Sequence, residues 1–166
     1  MISLYKTYVL PHLEDCSPLW LGISTPLKSK LEKCNFYALS TVLNLGRSTE
    51  YKDCLRLASM DTLIQRRLTA SLIMFFKAYR LQGASYISNF FTPRVCHYNL
   101  RSSDLNVSRP VNTSSHIHSS FSYIISHSWN QLSSVKSVTT LAELRTGLSC
   151  ITALGCKCNK CISIQL

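Results

Sequence analysis

The spacing of apolar residues predicts that the chain begins with a helix. Between Ile2 and Trp20, apolar positions recur at steps of three and four, which places them on one face of a helix. The residues of this face are Tyr5, Tyr8, Val9, Leu13, Cys16 and Trp20. Pro11 lies within the pattern, and because it lacks a backbone donor it predicts either a kink or a helix start at that point.

A longer helix is predicted between Thr25, a suitable N-cap, and Gly46, a suitable C-terminal stop. Pro26 fits the first turn of such a helix. The apolar stripe of this helix consists of Leu27, Leu31, Cys34, Ala38, Val42 and Leu45. A shorter helix is predicted over Tyr51–Leu57.

The segment "DTLIQRRLTASLIMFFKAYRLQG" has the most regular helical pattern in the chain. Asp61 is its expected N-cap and Gly83 its expected stop. One face of this helix carries Ile64, Leu68, Leu72, Phe75 and Tyr79. The basic residues Arg66, Arg67, Lys77 and Arg80 lie mostly off that face, so they are expected to point away from the core.

The regular pattern ends near Ala84, and Ser, Asn, Thr and two prolines dominate as far as about Ser120. This composition predicts an irregular, partly extended segment. Helical spacing returns in "FSYIISHSWNQL", where Trp129 is expected to anchor the segment by packing. A last short helix is predicted from Thr139 or Thr140 to Leu148.

These elements predict a mainly α fold with three parts. Residues 1–83 form a small helical bundle, and residues 84–148 form a closing segment that is irregular, partly extended and then folded into two short helices. Residues 149–166 form a Cys-rich tail. The chain has 166 residues, of which 46% are hydrophobic, enough to bury a core.

The charge of the chain favours a polyanionic partner. Its net charge is +10, and the basic excess is spread along the sequence, which makes nucleic acid the first candidate. A basic protein without a specific anionic partner is the alternative. Charged residues amount to only 16%, below the common value of about a quarter, so part of an apolar surface is expected to face another molecule.

The sequence predicts an intracellular protein without a membrane span. The first residues lack the pattern of a secretory signal, and the longest apolar run, "SLIMFF", is far shorter than the ~20 residues of a span. The eight cysteines are therefore interpreted as reduced thiols or metal ligands. Cys16, Cys34 and Cys54 are expected to be small buried residues.

Seven helix-borne cations are the candidate phosphate contacts, because phosphate binding needs charge and reach without base recognition. They are Lys28, Lys30, Lys33, Arg66, Arg67, Lys77 and Arg80. A solvated helix face with no nucleic acid is the alternative. The aromatic residues near them fall on apolar stripes, so core packing is favoured over base stacking.

The tail has the spacing C-x5-C-x-C-x2-C at Cys150, Cys156, Cys158 and Cys161. Four thiolates could bind zinc, although the Cys-x-Cys step is tight, and a degenerate tail is the alternative. A weaker metal hypothesis combines His116 and His118 with Cys96 or His97.

Three stretches, in this order, resemble one known family. "LYKTYVLPHLEDCSPLW" and "DTLIQRRLTASLIMFFKAYRLQG" resemble the thumb helices of reverse transcriptases from non-LTR retrotransposons, the jockey-like LINE elements. "YNLRSS", "SFSYIISHSWNQL" and "SVTTLAELRTGL" resemble the C-terminal segment of those enzymes. Asp15, Ser133 and Leu144 depart from the family pattern. The resemblance implies a thumb that grips the template–primer duplex beside a palm and fingers.

The polymerase chemistry of that family is not expected in this chain. Its two magnesium ions are held by palm carboxylates in an aromatic-x-Asp-Asp turn, and no such turn occurs here. The adjacent acids Glu14 and Asp15 would point about 100° apart on a helix, so no catalytic residue is assigned. On this interpretation Met1 corresponds to a position inside a longer polymerase.

The sequence therefore favours a non-catalytic thumb portion of such a reverse transcriptase. A separate basic nucleic-acid-binding protein derived from such an element is the first alternative. A zinc-dependent interaction module built on the tail and a relic without present function are the others.

Overall fold

The fold is mainly helical, as the sequence predicts. The structure is a computed structural model, and it describes residues 1–46, 49–81, 83, 85–94, 106–110, 115–132 and 137–153. The helices are α1 (Ile2–Leu4), α2 (Leu10–Glu14), α3 (Ser17–Trp20), α4 (Thr25–Val42), α5 (Tyr51–Ala58), α6 (Leu63–Tyr79), α7 (Ser85–Ser88), α8 (Ser115–His118), α9 (Phe121–Gln131) and α10 (Leu141–Ala153).

The chain divides into two compact units, Met1–Arg67 and Leu68–Gly155, with the division inside α6. The predicted division after Gly83 does not coincide with this boundary.

Pro11 lies within a continuous helical run from Ile2 to Glu14, which widens into a π-helical turn just before it. It lies in the first turn of α2, directly after a π-helical turn over Tyr5–Val9. Proline cannot donate to the carbonyl four residues earlier and its ring crowds that carbonyl, and the wider π turn relieves both problems. Within this turn the N–H of Leu10 donates to the carbonyl of Tyr5.

The π turn changes which residues face the core. Tyr5 and Leu10 are buried, whereas Tyr8 is 67% exposed and Val9 is 44% exposed. The predicted single face from Tyr5 to Trp20 is therefore wrong. Helix α2 itself ends at Glu14. Cys16 then adopts a left-handed backbone with φ of 51°, and its side chain is exposed.

Helix α4 buries a different face from the one predicted. Its buried residues are Glu32, Asn35 and Leu39, while Leu27 and Cys34 of the predicted stripe are exposed. The buried face is displaced by one position, or about 100° around the helix axis. The cause is a set of hydrogen bonds to Glu32 and Asn35, described below, which makes burial of these polar side chains favourable.

Helices α4 and α5 end through left-handed residues other than glycine. At the end of α4, Asn44 has a φ of 52°, and the N–H of Leu45 donates to the carbonyl of Ser40 at 2.9 Å. This is a Schellman arrangement, and asparagine tolerates the left-handed region better than most residues. The predicted stop at Gly46 is therefore two residues too late. Ser59 plays the same part after α5, with a φ of 49°.

Helix α6 begins at Leu63, one residue later than it would if Asp61 were its N-cap. Thr62 is its N-cap, because the Thr62 hydroxyl accepts from the N–H of Gln65 at 3.3 Å. The core of the first unit packs around this start. It consists of Tyr5, Leu10, Leu39, Leu55, Ala58 and Leu63. Cys54 is also fully buried, as predicted for it.

An aromatic cluster forms the core of the second unit. Phe75 of α6 contacts Phe91 with ring centroids 4.6 Å apart and Trp129 of α9 with centroids 5.1 Å apart, both edge to face. Phe121 at the start of α9 contacts Phe91 at 5.9 Å. Trp129 is fully buried, which confirms its predicted role as a packing anchor.

In the described part of the irregular segment, Pro93 and Val107 form an antiparallel β-bridge. The N–H of Ser108 donates to the carbonyl of Thr92 at 2.8 Å on one side of this bridge. The backbone of Val107 itself faces Asn130, whose side chain accepts from the Val107 N–H at 2.9 Å and donates to its carbonyl at 2.8 Å. Asn130 thus takes the place of a neighbouring strand.

Helix α10 begins with a capping box. The N–H of Glu143 donates to the hydroxyl of Thr140 at 3.3 Å, and the Glu143 carboxylate accepts from the Thr140 N–H at 3.4 Å. This confirms one of the two predicted starts. The helix extends to Ala153, beyond the predicted end at Leu148.

Replacing Asn130 by Ala is expected to destabilise the second unit by roughly 2–4 kcal/mol, because the buried N–H and carbonyl of Val107 both lose their partner. Asn130→Asp keeps the acceptor and loses the donor, so its effect should be smaller. Gln131→Ala is the matched control, since Gln131 is exposed on the same helix and should change stability little. Urea unfolding monitored by Trp fluorescence measures all three, and equal stabilities of the Asn130 and Gln131 variants would contradict this role.

Candidate nucleic-acid interface

Arg67 lies inside the first unit, although the sequence predicts that it points away from the core. Its side chain donates through Nε at 3.1 Å and through Nη2 to the carbonyl of Leu13, near the C-terminus of α2. The guanidinium also lies 5.5 Å from the centre of the Trp20 ring. Arg67 is only 4% exposed. This cation therefore satisfies a terminal helix carbonyl and packs on an aromatic face.

Burial lowers the pKa of Arg67, and the charges of Glu32 and Glu14 act in the opposite direction. The guanidinium keeps its proton under such conditions, because its ordinary pKa lies far above neutral pH. The buried positive charge is thus balanced by nearby carboxylates and by the α2 helix dipole.

Arg66 is also engaged within the protein. Its Nε donates to Oε1 of Glu14, and the two side chains are 32% and 28% exposed. Glu14 is therefore an ion-pair partner for Arg66, while the neighbouring Asp15 accepts from the N–H of Cys16 at 2.9 Å. The Arg66–Arg67 pair, predicted to grip a duplex, holds the end of α2 against the start of α6.

A buried polar network connects α4, α5 and α6. Glu32 is 2% exposed, and its Oε1 accepts from the N–H of Ile64 at 2.9 Å, in the first turn of α6. Its Oε2 accepts from the hydroxyl of Tyr51. The carboxylate therefore caps the N-terminus of α6, where the helix dipole favours negative charge.

The network continues to the first helical segment through Asn35. The Asn35 amide donates to the Tyr51 oxygen at 2.7 Å, and its carbonyl oxygen accepts from the hydroxyl of Tyr5. Burial, together with the charge of Glu14, raises the pKa of Tyr5 to about 12. Burial, and then the charge of Glu32, also raises the pKa of Tyr51. Both phenols are thereby held neutral as donors.

The exposed face of α4 carries lysines of the predicted set. Lys30 and Lys33 are exposed, one turn apart, and Lys28 is half-buried. Tyr37, one turn further along the same face, is 66% exposed. The one acidic residue of α4 is Glu32, which is buried, so this face carries only positive charge. Tyr37 is not among the residues predicted from the sequence, although its i+4 spacing from Lys33 would place the two side chains side by side on a helix.

Lys77 and Arg80 lie in the second unit, where both are exposed. Lys77 is in the last turn of α6, and Arg80 follows the end of that helix with its N–H donating to the Phe76 carbonyl at 2.9 Å. Their spacing places them on neighbouring positions of one surface. The structure thus groups six of the seven predicted cations into two exposed pairs and the Arg66–Arg67 pair, which is bonded within the protein, and it leaves Lys28 half-buried on α4.

The predicted metal sites fall largely outside the described residues. The residues outside the described ranges are Cys96, His97, Cys156, Cys158 and Cys161. Cys150 lies in helix α10. His118 packs edge to face on Tyr123, with ring centroids 4.4 Å apart. Within the described ranges, no three His, Cys, Asp or Glu side chains are grouped as metal ligands would be.

The free thiols of Cys16 and Cys34 are exposed, contrary to the expectation of burial. For Cys16 the reason is the left-handed turn between α2 and α3, and for Cys34 it is the displaced buried face of α4.

Comparison with known proteins identifies no relative: no family model, curated protein or solved structure matches the chain. Among the helices that the structure describes, none combines the length and apolar character needed to cross a membrane.

Replacing Arg67 by Gln is expected to lower the free energy of unfolding by about 2–3 kcal/mol, because a charged hydrogen bond to a terminal helix carbonyl is lost. Arg66→Gln removes the same charge from a partly exposed ion pair, so it should cost less than about 1 kcal/mol. Chemical denaturation of the two variants measures the difference. Equal losses in both variants would show that Arg67 has no special structural role.

The raised pKa of Tyr5 makes stability depend on pH in the alkaline range. Because the folded pKa of about 12 exceeds the ordinary value of 10.0, the folded state retains this proton more tightly. The resulting stabilisation is complete below pH 10 and is lost as the pH rises towards 12, by roughly 2 kcal/mol in total. Urea unfolding at increasing pH measures this decline.

Tyr5→Phe is the control for this dependence. It should be less stable at neutral pH by about 1 kcal/mol, since the hydrogen bond to Asn35 is lost, yet decline less between pH 10 and 12. The same alkaline decline in the variant and the natural chain would exclude Tyr5 as its source.

Proposed function

We propose that this chain is a non-catalytic module that binds the phosphate backbone of nucleic acid through the exposed face of α4. The observation that carries the proposal is the Lys30, Lys33 and Tyr37 surface, on which two exposed lysines and an exposed aromatic ring occur with no exposed acid in the same helix. The overall net charge of +10 supports the same partner.

The chemistry of this face suits backbone contact. A lysine is a flexible point charge that reaches a phosphate oxygen without requiring a fixed geometry, and each neutralised phosphate releases condensed counterions. The Tyr37 ring adds a surface on which an unpaired base can stack, which is compatible with any base. Such a face therefore favours binding that is weakly dependent on sequence and strongly dependent on salt.

Arg66 and Arg67 contact Glu14 and the Leu13 carbonyl, so they are not included among the proposed phosphate contacts. Lys77 and Arg80 provide a second basic surface in the other unit. The proposed contact set is thus smaller than the seven residues named from the sequence.

The resemblance to a retrotransposon reverse-transcriptase thumb gives this proposal its biological setting. In a complete polymerase, the module would contribute duplex grip next to a palm that holds the two magnesium ions. As a separate protein, it would bind nucleic acid without polymerising. Both versions require the same property of this chain, namely salt-dependent binding through α4.

The test is fluorescence anisotropy of the full chain with a labelled oligonucleotide, single-stranded or in an RNA–DNA duplex, at several salt concentrations. The double variant Lys30→Gln with Lys33→Gln should weaken binding roughly tenfold at moderate salt and lower the slope of log K against log salt by about 2. Tyr37→Ala should weaken the single-stranded complex more than the duplex, because only unpaired bases stack on the ring.

The matched control is Lys52→Gln with Arg145→Gln, which removes the same charge from exposed positions outside this face. It should leave affinity within about a factor of two, since charges outside the contact face act mainly through a screened field. If both double variants lose the same affinity, binding reflects net charge and the α4 interface is rejected. If the natural chain does not bind, the proposed function fails.

A further inference from the structure

A small cleft in the second unit lies where the β-bridge meets α9. It has a volume of about 220 Å³ and is lined by Arg94, Val107, Ser108, Arg109 and Asn130. Pockets for drug-sized ligands are commonly ~300–1,000 Å³, so this cleft suits a smaller group. Neither arginine belongs to the sequence-derived set of basic contacts.

The β-bridge fixes the backbone of both arginines. The N–H of Arg94 donates to the Asn106 carbonyl at 3.0 Å, on one side of the Pro93–Val107 bridge. Arg109 follows Ser108, whose N–H is bonded to Thr92 on the other side of the bridge. Because Asn130 fixes Val107 between them, the backbone positions of Arg94 and Arg109 are set, while both of their side chains are exposed at the cleft.

The polar lining of the cleft favours an anion. Each guanidinium only donates hydrogen bonds, and within the described part of the chain neither arginine forms a salt bridge with a carboxylate. Ser108 adds a hydroxyl, while both polar atoms of the Asn130 side chain are already bonded to Val107.

Arg109 is oriented by a second contact, on α9. Its Nη1 lies 3.3 Å from Nδ1 of His127. Since a guanidinium can only donate, Nδ1 accepts from it, and Nε2 of the same ring lies 3.1 Å from the side-chain nitrogen of Gln131. One N–H group of the Arg109 guanidinium is used in this contact, and the other N–H groups of the guanidinium can bind a ligand.

We infer that this cleft binds a phosphate group, supplied either by a nucleic-acid strand or by a small phosphate compound. Two guanidiniums provide paired donors that match phosphate oxygens, and the hydroxyl of Ser108 provides a further donor. The site belongs to the second unit and does not involve the lysines of α4, so it stands independently of the proposed function.

The experiment titrates the full-length, ¹⁵N-labelled chain with inorganic phosphate and follows the arginine Nε–Hε signals by NMR. Arg94 and Arg109 should shift and saturate at millimolar phosphate, and sodium chloride of equal ionic strength should not reproduce the effect. Arg94→Gln or Arg109→Gln should weaken phosphate binding at least tenfold, as expected for a lost charged hydrogen bond. Arg94→Lys, which keeps the charge but not the planar fork, should weaken it by less.

Arg145→Gln is the matched control, because it removes an exposed arginine elsewhere in the same unit. Unchanged amide signals for Phe91 and Val107 establish that each variant is folded. Equal shifts in chloride and phosphate, or equal weakening by Arg145→Gln and Arg94→Gln, would overturn the proposal.

An oligonucleotide arm identifies the source of the phosphate. If Arg94→Gln weakens both inorganic phosphate and a short single-stranded oligonucleotide, the cleft binds a strand. If it weakens inorganic phosphate alone, the cleft serves a small phosphate compound. The two proposals can fail separately. The cleft can lack phosphate binding while α4 still binds an oligonucleotide, or the cleft can bind phosphate while α4 binds no oligonucleotide.

Discussion

The buried carboxylate of Glu32 is the interaction on which the first unit depends. Removing a carboxylate from water is unfavourable unless hydrogen bonds replace its solvation. Glu32 recovers them from the Ile64 N–H at the start of α6 and from the Tyr51 hydroxyl of α5. Three helices therefore meet at one side chain, and the position of each is specified by a directional bond as well as by apolar packing.

This constraint determines which surface of α4 is left for other molecules. With Glu32 and Asn35 directed inward, Lys30, Lys33 and Tyr37 are directed outward. Because Glu32 is the only acid in α4 and its side chain is buried, the exposed surface of this helix carries no negative charge. A single buried network thus explains both the stability of the packing and the positive character of the exposed face.

In the second unit, the side chain of Asn130 forms the backbone hydrogen bonds that a neighbouring strand would form in a sheet. By bonding both backbone groups of Val107, it supports a β-bridge that packs beside an aromatic cluster around Phe75 and Trp129. The same bridge holds Arg94 and Arg109 at the edge of a cleft. In both units, surface cations are placed by polar side chains that are themselves buried or half-buried.

The sequence by itself determined the helical class, the packing role of Trp129 and the starts of α9 and α10. These features rest on local chemistry, namely apolar periodicity and caps such as the Thr140–Glu143 box. Tertiary structure alone decided the buried face of α4 and the roles of Arg66 and Arg67. A polar residue has the same local pattern whether it faces water or a buried partner. Glu32 acquires its partners from segments 19 and 32 positions away in the chain, and Arg67 acquires its partner from a segment 54 positions away.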